Sequence, residues 1–350
     1  MLRSARTAAP NSKNPPRLRS FIQSTRVQIQ SGLKIIKPPR LKPGHTIGIC
    51  SPSSYADPFS LKAGIDFLTK QGYHIQLGHA TRHMLKTGFM AAPDKDRAQE
   101  IMTLFQDQKI YAIFCAVGGY GAGRLLPLLD YDAIKDNPKI LMGYSDITFL
   151  HVAIYQCTGL ITFHGPSASH LDQSLGSDDL RIKRDNFERA LKLMSGKSDL
   201  KLANPPGGML LRTIHDGKAS GPLMGGNLET CEETLATPFE INLDRRLFFF
   251  EEVYSSPEMV DRGLTHLSMA NKLDKVAGII AGEFSDVPKA EEPMPSMEEV
   301  LRERILPFKR PAIVGLQCGH GKVHVTIPVG LEARLDADEP SLKLKELPVE

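Results

Sequence analysis

The 350-residue sequence contains no tryptophan and only five cysteines, which are widely scattered and form no Cys-x-x-Cys pair. Zinc sites and dithiol redox centres use such pairs, so this pattern favours neither and is typical of a reducing compartment. Cys115 and Cys157 lie in apolar runs, where inert core thiols are expected. No apolar run is long enough to cross a bilayer, so the sequence predicts a soluble protein without a membrane span.

Acidic residues are absent from the beginning of the chain as far as Asp57. Residues 1–42 carry ten Lys or Arg, so the remainder of the chain has a negative net formal charge. A nucleic-acid-binding body would need a basic face, so nucleic acid is not expected as a partner. Residues 1–43 are rich in Pro, Arg and Ser and predict a flexible basic extension. It is either an organellar transit peptide or a plain tail on a cytoplasmic protein.

Apolar runs alternate with helical patterns in the first part of the chain body. Strands alternating with helices predict a mostly parallel α/β sheet, here over residues 44–194. A helix is predicted at 61–71, after a Ser-Pro-Ser-Ser turn. The predicted strands are 46–50, 110–117 and 140–143.

A second domain follows a polar stretch. Residues 195–215 are rich in Gly, Pro and Ser, which is typical of a linker between domains. Residues 216–345 mix short apolar runs with helical patterns, which predicts an α+β domain. Its predicted strands include 246–252, 277–281 and 312–316.

Ser145 lies where an apolar strand meets the start of a helix, within Gly143-Tyr144-Ser145-Asp146. This placement is similar to the nucleophile elbow of serine hydrolases, although Ile147 occupies the position of the elbow's second glycine. The local pattern alone favours a helix N-cap, which Ser and Asp commonly form. Both interpretations stay open at this point.

Gly118-Gly119-Tyr120-Gly121 follows a strand directly and exposes backbone N–H groups that could stabilise an oxyanion. A phosphate loop is disfavoured, because neither the Gly-Lys-Ser/Thr ending nor an acidic residue for a ribose is present. A plain tight turn is the other interpretation.

Glu251 and Glu252 end an apolar strand, where alternation points them to opposite faces, so only one can serve a site. Two solvated charges are the alternative. His320 follows a later strand between two glycines, in an approachable position. His324 is four residues further, but residues 323–327 predict a strand, which would separate the two imidazoles by roughly 13 Å. A shared metal is therefore not expected.

Together these segments resemble the LD-carboxypeptidase family of serine peptidases, which includes murein tetrapeptide carboxypeptidases and microcin C self-immunity proteins. The resemblance covers about residues 44–335. One departure is Val117, where many members have an arginine that would contact substrate. The matching motifs are 47–54, 118–121, 143–148, 164–166, 225–228, 250–253, 261–262 and 319–330.

The resemblance implies a catalytic triad in which Ser145 is the nucleophile, His320 is the general base and Glu251 orients His320. Glu252 would then point outward. The oxyanion hole would use the backbone N–H of Asp146 and one from Gly118 or Gly119, with the choice of glycine open. These roles imply an active site in a cleft between the domains.

The resemblance implies a serine hydrolase that cleaves an amide bond near a terminal carboxylate through an acyl-enzyme, without cofactor or metal. A small peptide or peptide-like molecule is the expected substrate, and a homodimer is the expected assembly. A hydrolase or acyl transferase acting on a peptide-like toxin or secondary metabolite is an alternative. In that case Tyr55 or Tyr120 would have to stack a nucleobase, because the chain has no Trp. The third hypothesis is a catalytically silent protein that captures small peptides.

Overall fold

A computed structural model describes residues 33–84, 89–171, 176–289 and 293–350. These ranges contain two sheets. The first has six strands, five from the N-terminal half and one from near the end of the chain: β1 (Thr46–Cys50), β2 (His74–Leu77), β3 (Ile110–Cys115), β4 (Ile140–Gly143), β5 (Thr162–His164) and β12 (Ile327–Val329).

The spatial order in this sheet is β12-β5-β4-β3-β1-β2. Every neighbouring pair is parallel except β5 with β12. Parallel strands need crossover connections, and these cover both faces of the sheet. The helices of this domain are α1 (Pro58–Lys70), α2 (His79–Arg82), α3 (Asp94–Gln106), α4 (Tyr131–Asp136), α5 (Thr148–Thr158) and α6 (Ser177–Met194).

Local chemistry sets the ends of these helices. The Asp57 carboxylate accepts a hydrogen bond from the Ser60 N–H at 2.8 Å, and Pro58 lies in the first turn of α1. The prediction of a helix at 61–71 therefore finds α1 but misses its first turn. Helix α5 is followed by Gly159, which adopts a left-handed conformation (φ 81°). Glycine accepts this conformation without strain and commonly ends a helix in this way.

The second sheet has eight strands in the order β6-β14-β13-β8-β9-β10-β11-β7. Its four central strands run parallel, while β13, β14, β6 and β7 pair antiparallel at the sides. The strands are β6 (Lys201–Leu202), β7 (Arg212–His215), β8 (Lys218–Asn227), β9 (Leu247–Val253), β10 (Gly278–Ser285), β11 (Ala312–Leu316), β13 (Glu332–Asp336) and β14 (Ser341–Leu344).

Three helices, α7 (Leu228–Glu233), α8 (Pro257–Met269) and α9 (Met297–Ile305), connect the strands of this second domain. The predicted fold class, a mostly parallel α/β domain followed by a second domain of mixed strands and helices, is confirmed. None of the helices in the described ranges is both long and apolar enough to cross a membrane.

The chain returns from the second domain to the first sheet through β12. Ile327 lies opposite His164 and Val329 opposite Thr162, in antiparallel register. The His164 side chain contacts the same returning segment, since its Nε2 lies 2.8 Å from the Cys318 carbonyl oxygen. Residues 317–326 are thereby held against the carboxyl end of the first sheet, where parallel α/β proteins commonly place their sites.

Part of the predicted extension is ordered. Leu41 is fully buried, and Ile36 forms a bridge with Leu160. The Arg40 N–H donates to the Glu350 carbonyl at 2.9 Å, which ties this segment to the chain's last residue. The prediction of flexibility is therefore wrong for residues 33–43, because these apolar side chains find a core to pack on. Residues 1–32, and with them the transit-peptide hypothesis, lie outside the described residues.

Two other predictions change in detail. The stretch 195–215, predicted as a linker, contains β6 and β7, which pair with β14 and β11. The predicted strand at 323–327 is wrong, since residues 323–326 are irregular and β12 begins at Ile327. The alternation of Val, His and Thr there reflects a buried irregular segment rather than a paired strand.

Candidate active site

Ser145 occupies a strained turn at the end of β4. Its φ of 65° is in the left-handed region that non-glycine residues rarely adopt. Gly143, just before the turn, packs closely on Cys115 of β3. A Cβ at residue 143 would lie 2.9 Å from the Cys115 Cβ, so a larger residue does not fit. Such strain costs about 1–3 kcal/mol and persists at functional sites when the surroundings hold it. The geometry therefore favours the nucleophile elbow over the helix N-cap interpretation.

The Asp146 carboxylate is a buried structural group. Its Oδ2 accepts a hydrogen bond from Ser53 Oγ at 2.5 Å and another from the Ala122 N–H at 2.8 Å. Burial raises the pKa of this carboxyl, and the hydrogen bonds oppose that effect. The side chain ties the elbow to two neighbouring turns, which leaves the backbone N–H as the part of Asp146 relevant to an oxyanion.

Gly118 and Ser145 are in direct contact. A Cβ added at Gly118 would lie 2.8 Å from the Ser145 Cβ and 3.2 Å from its Oγ, so only glycine fits. The Ser54 N–H donates to the Gly118 carbonyl at 3.1 Å and fixes the turn. Neither the Gly118 N–H nor the Gly119 N–H donates to any described residue. Both are therefore free donors next to the serine, and the choice between them stays open.

Glu251 and His320 form a hydrogen-bonded pair. The His320 Nδ1 lies 2.8 Å from Glu251 Oε2, and the Glu251 side chain is fully buried at the end of β9. Gly319 permits this approach, because a Cβ there would lie 2.1 Å from the same oxygen. A carboxylate on Nδ1 fixes the tautomer that leaves Nε2 as the basic nitrogen.

The environment shifts the basicity of His320 in two directions. Burial lowers the pKa of the imidazole, but the charge of Glu251 and its hydrogen bond, with help from Glu252, raise it further than burial lowers it. The net effect is a pKa above the ordinary value of 6.5. His320 is therefore built to hold a proton more firmly than a free imidazole does.

Glu252 is buried, and the expectation that it points outward is wrong. Its Oε1 accepts from the Asn227 side-chain amide at 2.7 Å, and its Oε2 accepts from the Glu229 N–H at 2.9 Å. It therefore satisfies N–H groups at the start of α7, a place where a carboxylate is favourable. Strand alternation places the two glutamates on opposite faces as predicted, but helix α7 covers the face on which Glu252 lies.

A ring contact connects the Ser145 turn with the Glu251–His320 pair. Tyr144, the neighbour of Ser145, packs on His320 with ring centroids 4.9 Å apart. Ser145 Oγ makes no hydrogen bond to any described residue. Catalytic hydrogen bonds are often long in ligand-free enzymes and tighten when substrate binds.

The rings of three further histidines lie next to Tyr144: His164, His170 and His324. Burial lowers the pKa of each, to about 3 for His170. Neutral imidazoles packed on an aromatic ring form a structural layer behind the site. No group of His, Cys, Asp or Glu within the described ranges has the arrangement of a metal site.

Two cavities flank the serine and glutamate segments. One of about 480 Å³ is lined by Tyr120, Arg124, Asp146 and Phe149 among others. The other, of about 230 Å³, is lined by residues that include Glu252 and Arg262. Both guanidiniums are already paired with carboxylates, Arg124 with Asp94 at 2.8 Å and Arg262 with Glu258 at 2.9 Å.

Sequence reasoning missed three residues that shape the site. Tyr144 contacts His320, Ser53 holds Asp146, and the Glu283 carboxylate occupies the space beside Gly321 where a side chain would lie. Tyr144 and Ser53 lie within the motifs already singled out, but nothing in their spacing indicates these contacts. Glu283 gives no sequence signal, because it lies in the middle of an ordinary strand, β10.

Comparison with known proteins identifies the family of both domains. The LD-carboxypeptidase N-terminal domain model matches residues 47–165, and the C-terminal domain model matches residues 220–335. A probable murein peptide carboxypeptidase of Bacillus subtilis is 36% identical over 305 residues, covering 87% of this chain and 92% of that protein. The microcin C7 self-immunity protein of Escherichia coli is 31% identical over 336 residues, covering 87% and 94%.

A solved structure of MccF in complex with glutamyl sulfamoyl guanosine superimposes with a TM-score of 0.81 at 27% identity, covering 90% of this chain and 99% of that one. The fold and the relatives together define a carboxypeptidase-like serine hydrolase of two α/β domains. The chain belongs to the LD-carboxypeptidase family.

Proposed function

We propose that this chain hydrolyses an amide bond near a terminal carboxylate, with Ser145, His320 and Glu251 as its catalytic triad. The observation that supports this best is the 2.8 Å contact between His320 and a buried Glu251, in a segment that packs on the residue before Ser145. The strained backbone of Ser145 is a second support, because it presents the hydroxyl at a tight turn.

In the first half-reaction, Ser145 Oγ attacks the amide carbon and passes its proton to His320 Nε2. Glu251 stabilises the resulting imidazolium through Nδ1. The oxyanion accepts hydrogen bonds from the Asp146 N–H and from Gly118 or Gly119. Collapse of the intermediate breaks the C–N bond, and His320 gives its proton to the leaving amine.

In the second half-reaction, a water molecule takes the place of the departed amine. His320 removes its proton as the water oxygen attacks the Ser145 ester. The ester bond then breaks, the serine recovers its proton from His320, and the acid product leaves. No step needs a redox partner or a group beyond the three side chains and the backbone donors.

A second substrate class is favoured by an exposed aromatic pair at the glycine turn. Phe89 and Tyr120 are 77% and 54% exposed, with ring centroids 6.2 Å apart. Ser54 connects both, since its Oγ donates to the Phe89 carbonyl and accepts from the Tyr120 N–H. Exposed rings can stack on a nucleobase. This supports an acyl-aminoacyl nucleotide as the alternative substrate, and the ligand of the MccF complex, glutamyl sulfamoyl guanosine, also joins an aminoacyl group to a nucleoside.

Product analysis by mass spectrometry separates these substrates. The panel contains an LD-muropeptide, a matched all-L peptide and an acyl-aminoacyl nucleotide. We expect loss of the terminal D-residue from the muropeptide; preferential cleavage of the nucleotide conjugate would favour the self-immunity type of activity. Absence of cleavage throughout, or cleavage that survives Ser145→Ala, would contradict the proposed hydrolase.

The pH profile of kcat/KM is expected to have an acid limb above pH 6.5, since His320 must be neutral to accept a proton and Glu251 raises its pKa. Activity should therefore be lost as the pH falls through that raised value. In Glu251→Gln the limb should move to lower pH. The charge that raises the pKa of His320 is then gone, while burial still lowers this pKa. An unchanged limb in that variant would show that another group titrates.

Gly118→Ala is expected to lower kcat by about 10²-fold, because the new methyl group displaces the serine on which it abuts. The matched control is Gly176→Ala, where an added Cβ meets nothing within 4 Å. Steady-state kinetics and thermal melts of both variants make the comparison. Full activity of Gly118→Ala would show that Ser145 does not need its present position.

A homodimer and a cytoplasmic location stay predictions drawn from the family resemblance and the sequence. Light scattering of the purified full chain measures the first directly. Whether the chain is a monomer or a dimer, a small peptide or peptide-like molecule is the proposed substrate.

A further inference from the structure

A basic cavity lies apart from the triad. It has a volume of about 290 Å³ and lies between the end of α6, residues 197–203 and the segment leading into β12. Ser145, Glu251 and His320 are not among the residues that line it. The cations that line it are Arg189, Lys192, Lys197 and Lys201.

These four cations have no carboxylate partners among the described residues, since none lies within 4.0 Å of one. Asp199, the one acidic residue in the described lining, accepts a hydrogen bond from the Lys201 backbone N–H at 3.2 Å. Asp185, which lies near Arg189 on α6, pairs with Arg181 instead, at 3.6 Å. The cavity lining therefore carries a net positive charge, with four cations and one carboxylate.

The positive charge continues across the neighbouring strands. Lys201 on β6 lies directly opposite Lys343 on β14, which in turn lies opposite Arg334 on β13. Directly opposed residues of antiparallel strands share a face, and like charges there are destabilising. Three cations in one row are consistent with a surface that meets an anion.

Two buried polar atoms in the cavity wall lack partners. Thr326 is 5% exposed, and its hydroxyl has no hydrogen-bond partner among the described residues; the Arg189 Nε is buried without one as well. An unpaired buried donor costs about 1–3 kcal/mol, so native proteins rarely leave one unpaired.

Arg189 is held in place from behind. Its Nη2 donates to Asn186 Oδ1 at 2.6 Å, and the same oxygen accepts from the His324 N–H at 3.0 Å. Asn186 is fully buried and also donates to the Lys322 carbonyl at 2.8 Å. The guanidinium is thus positioned in advance, which lowers the entropy lost when a ligand binds.

We propose that this cavity binds the phosphate group of a small anionic molecule. Arg189, Lys192, Lys197 and Lys201 supply the positive charge. The cavity is concave and has the size of a small-molecule site, so a compact phosphomonoester fits it better than a nucleic acid duplex does. The inference does not depend on the proposed hydrolase, because no triad residue takes part.

The test is isothermal titration of the full chain with inorganic phosphate and with glycerol phosphate, at constant ionic strength. Both are expected to bind. Lys192→Gln and Lys197→Gln should each weaken the binding of both by about tenfold, because each removes one charge-assisted hydrogen bond. Lys135→Gln, which removes an exposed lysine on α4 outside the cavity, should leave both affinities unchanged.

Circular dichroism of each variant separates lost binding from lost folding. Lys192 and Lys197 are exposed and make no ion pair to a described residue, so neither substitution should unfold the chain. The proposal would be overturned if neither phosphate binds, or if wild type and Lys192→Gln bind equally well. It would also be overturned if only long polyanions such as heparin bind.

Discussion

Ser145→Ala is expected to abolish hydrolysis, with kcat falling on the order of 10⁴-fold or more. The serine oxygen is the atom that forms the proposed acyl-enzyme, and alanine has no atom that could take its place. His320→Ala should cost a similar factor, because nucleophile and base act as one unit. The combined variant should be little worse than either alone.

The fold of Ser145→Ala should be unchanged. Ser145 Oγ makes no hydrogen bond to a described residue, so its removal leaves no internal partner unsatisfied. Initial rates on the cleaved substrate, measured beside thermal melts, separate catalysis from stability. Activity within about tenfold of wild type would refute the assignment of the nucleophile.

Glu251→Gln should lower kcat by on the order of 10⁴-fold while the protein stays folded. The amide cannot supply the charge that stabilises the His320 imidazolium, and its NH₂ can face Nδ1 and select the wrong tautomer. The effect should appear in kcat rather than KM, because the lost interaction strengthens only as charge develops on the imidazole.

Glu252→Gln is the matched control, and its effect should be on stability. The Glu252 carboxylate accepts hydrogen bonds from Asn227, Glu229 and Val253, and an amide cannot accept all of them. We expect a loss of about 1–3 kcal/mol in the free energy of unfolding, with kcat of the folded fraction near wild type. Urea unfolding and kinetics on both variants test this ranking. A reversed ranking would move the triad carboxylate to Glu252.

The strands that carry the site can be predicted from the sequence, because buried parallel strands are short apolar runs that end in turns. The runs before Tyr144, Glu251 and Gln317 are of this kind, and all three are strands in the structure. Parallel sheets commonly place their sites at the carboxyl ends of their strands. This explains why local pattern identifies the candidate residues.

The burial of Glu252 could not be predicted in the same way. Alternation states that two neighbouring side chains face opposite sides, but it does not state what covers each side. Helix α7 begins beside Glu252, and its free N–H groups need an acceptor. Only the three-dimensional path of the chain shows that a carboxylate fills this role.

Contacts between distant segments account for the other differences. The pairing of β12 with β5 joins residues about 160 positions apart and shortens the strand expected at 323–327. Leu41 is buried because residues 33–43 run beside Met194 and Glu350, far away in sequence. The composition of residues 323–327 is typical of a strand, and that of residues 33–43 is typical of a flexible tail. In both cases tertiary packing decides the structure instead.

Covalent labelling of the active serine tests the central claim most directly. A fluorophosphonate reacts with a serine only when a neighbouring base activates its hydroxyl. Intact-mass and peptide analysis should show one adduct on Ser145 in wild type, none in Ser145→Ala, and strongly slowed labelling in His320→Ala. An adduct on another residue, or labelling of Ser145 at the wild-type rate without His320, would contradict the proposed triad.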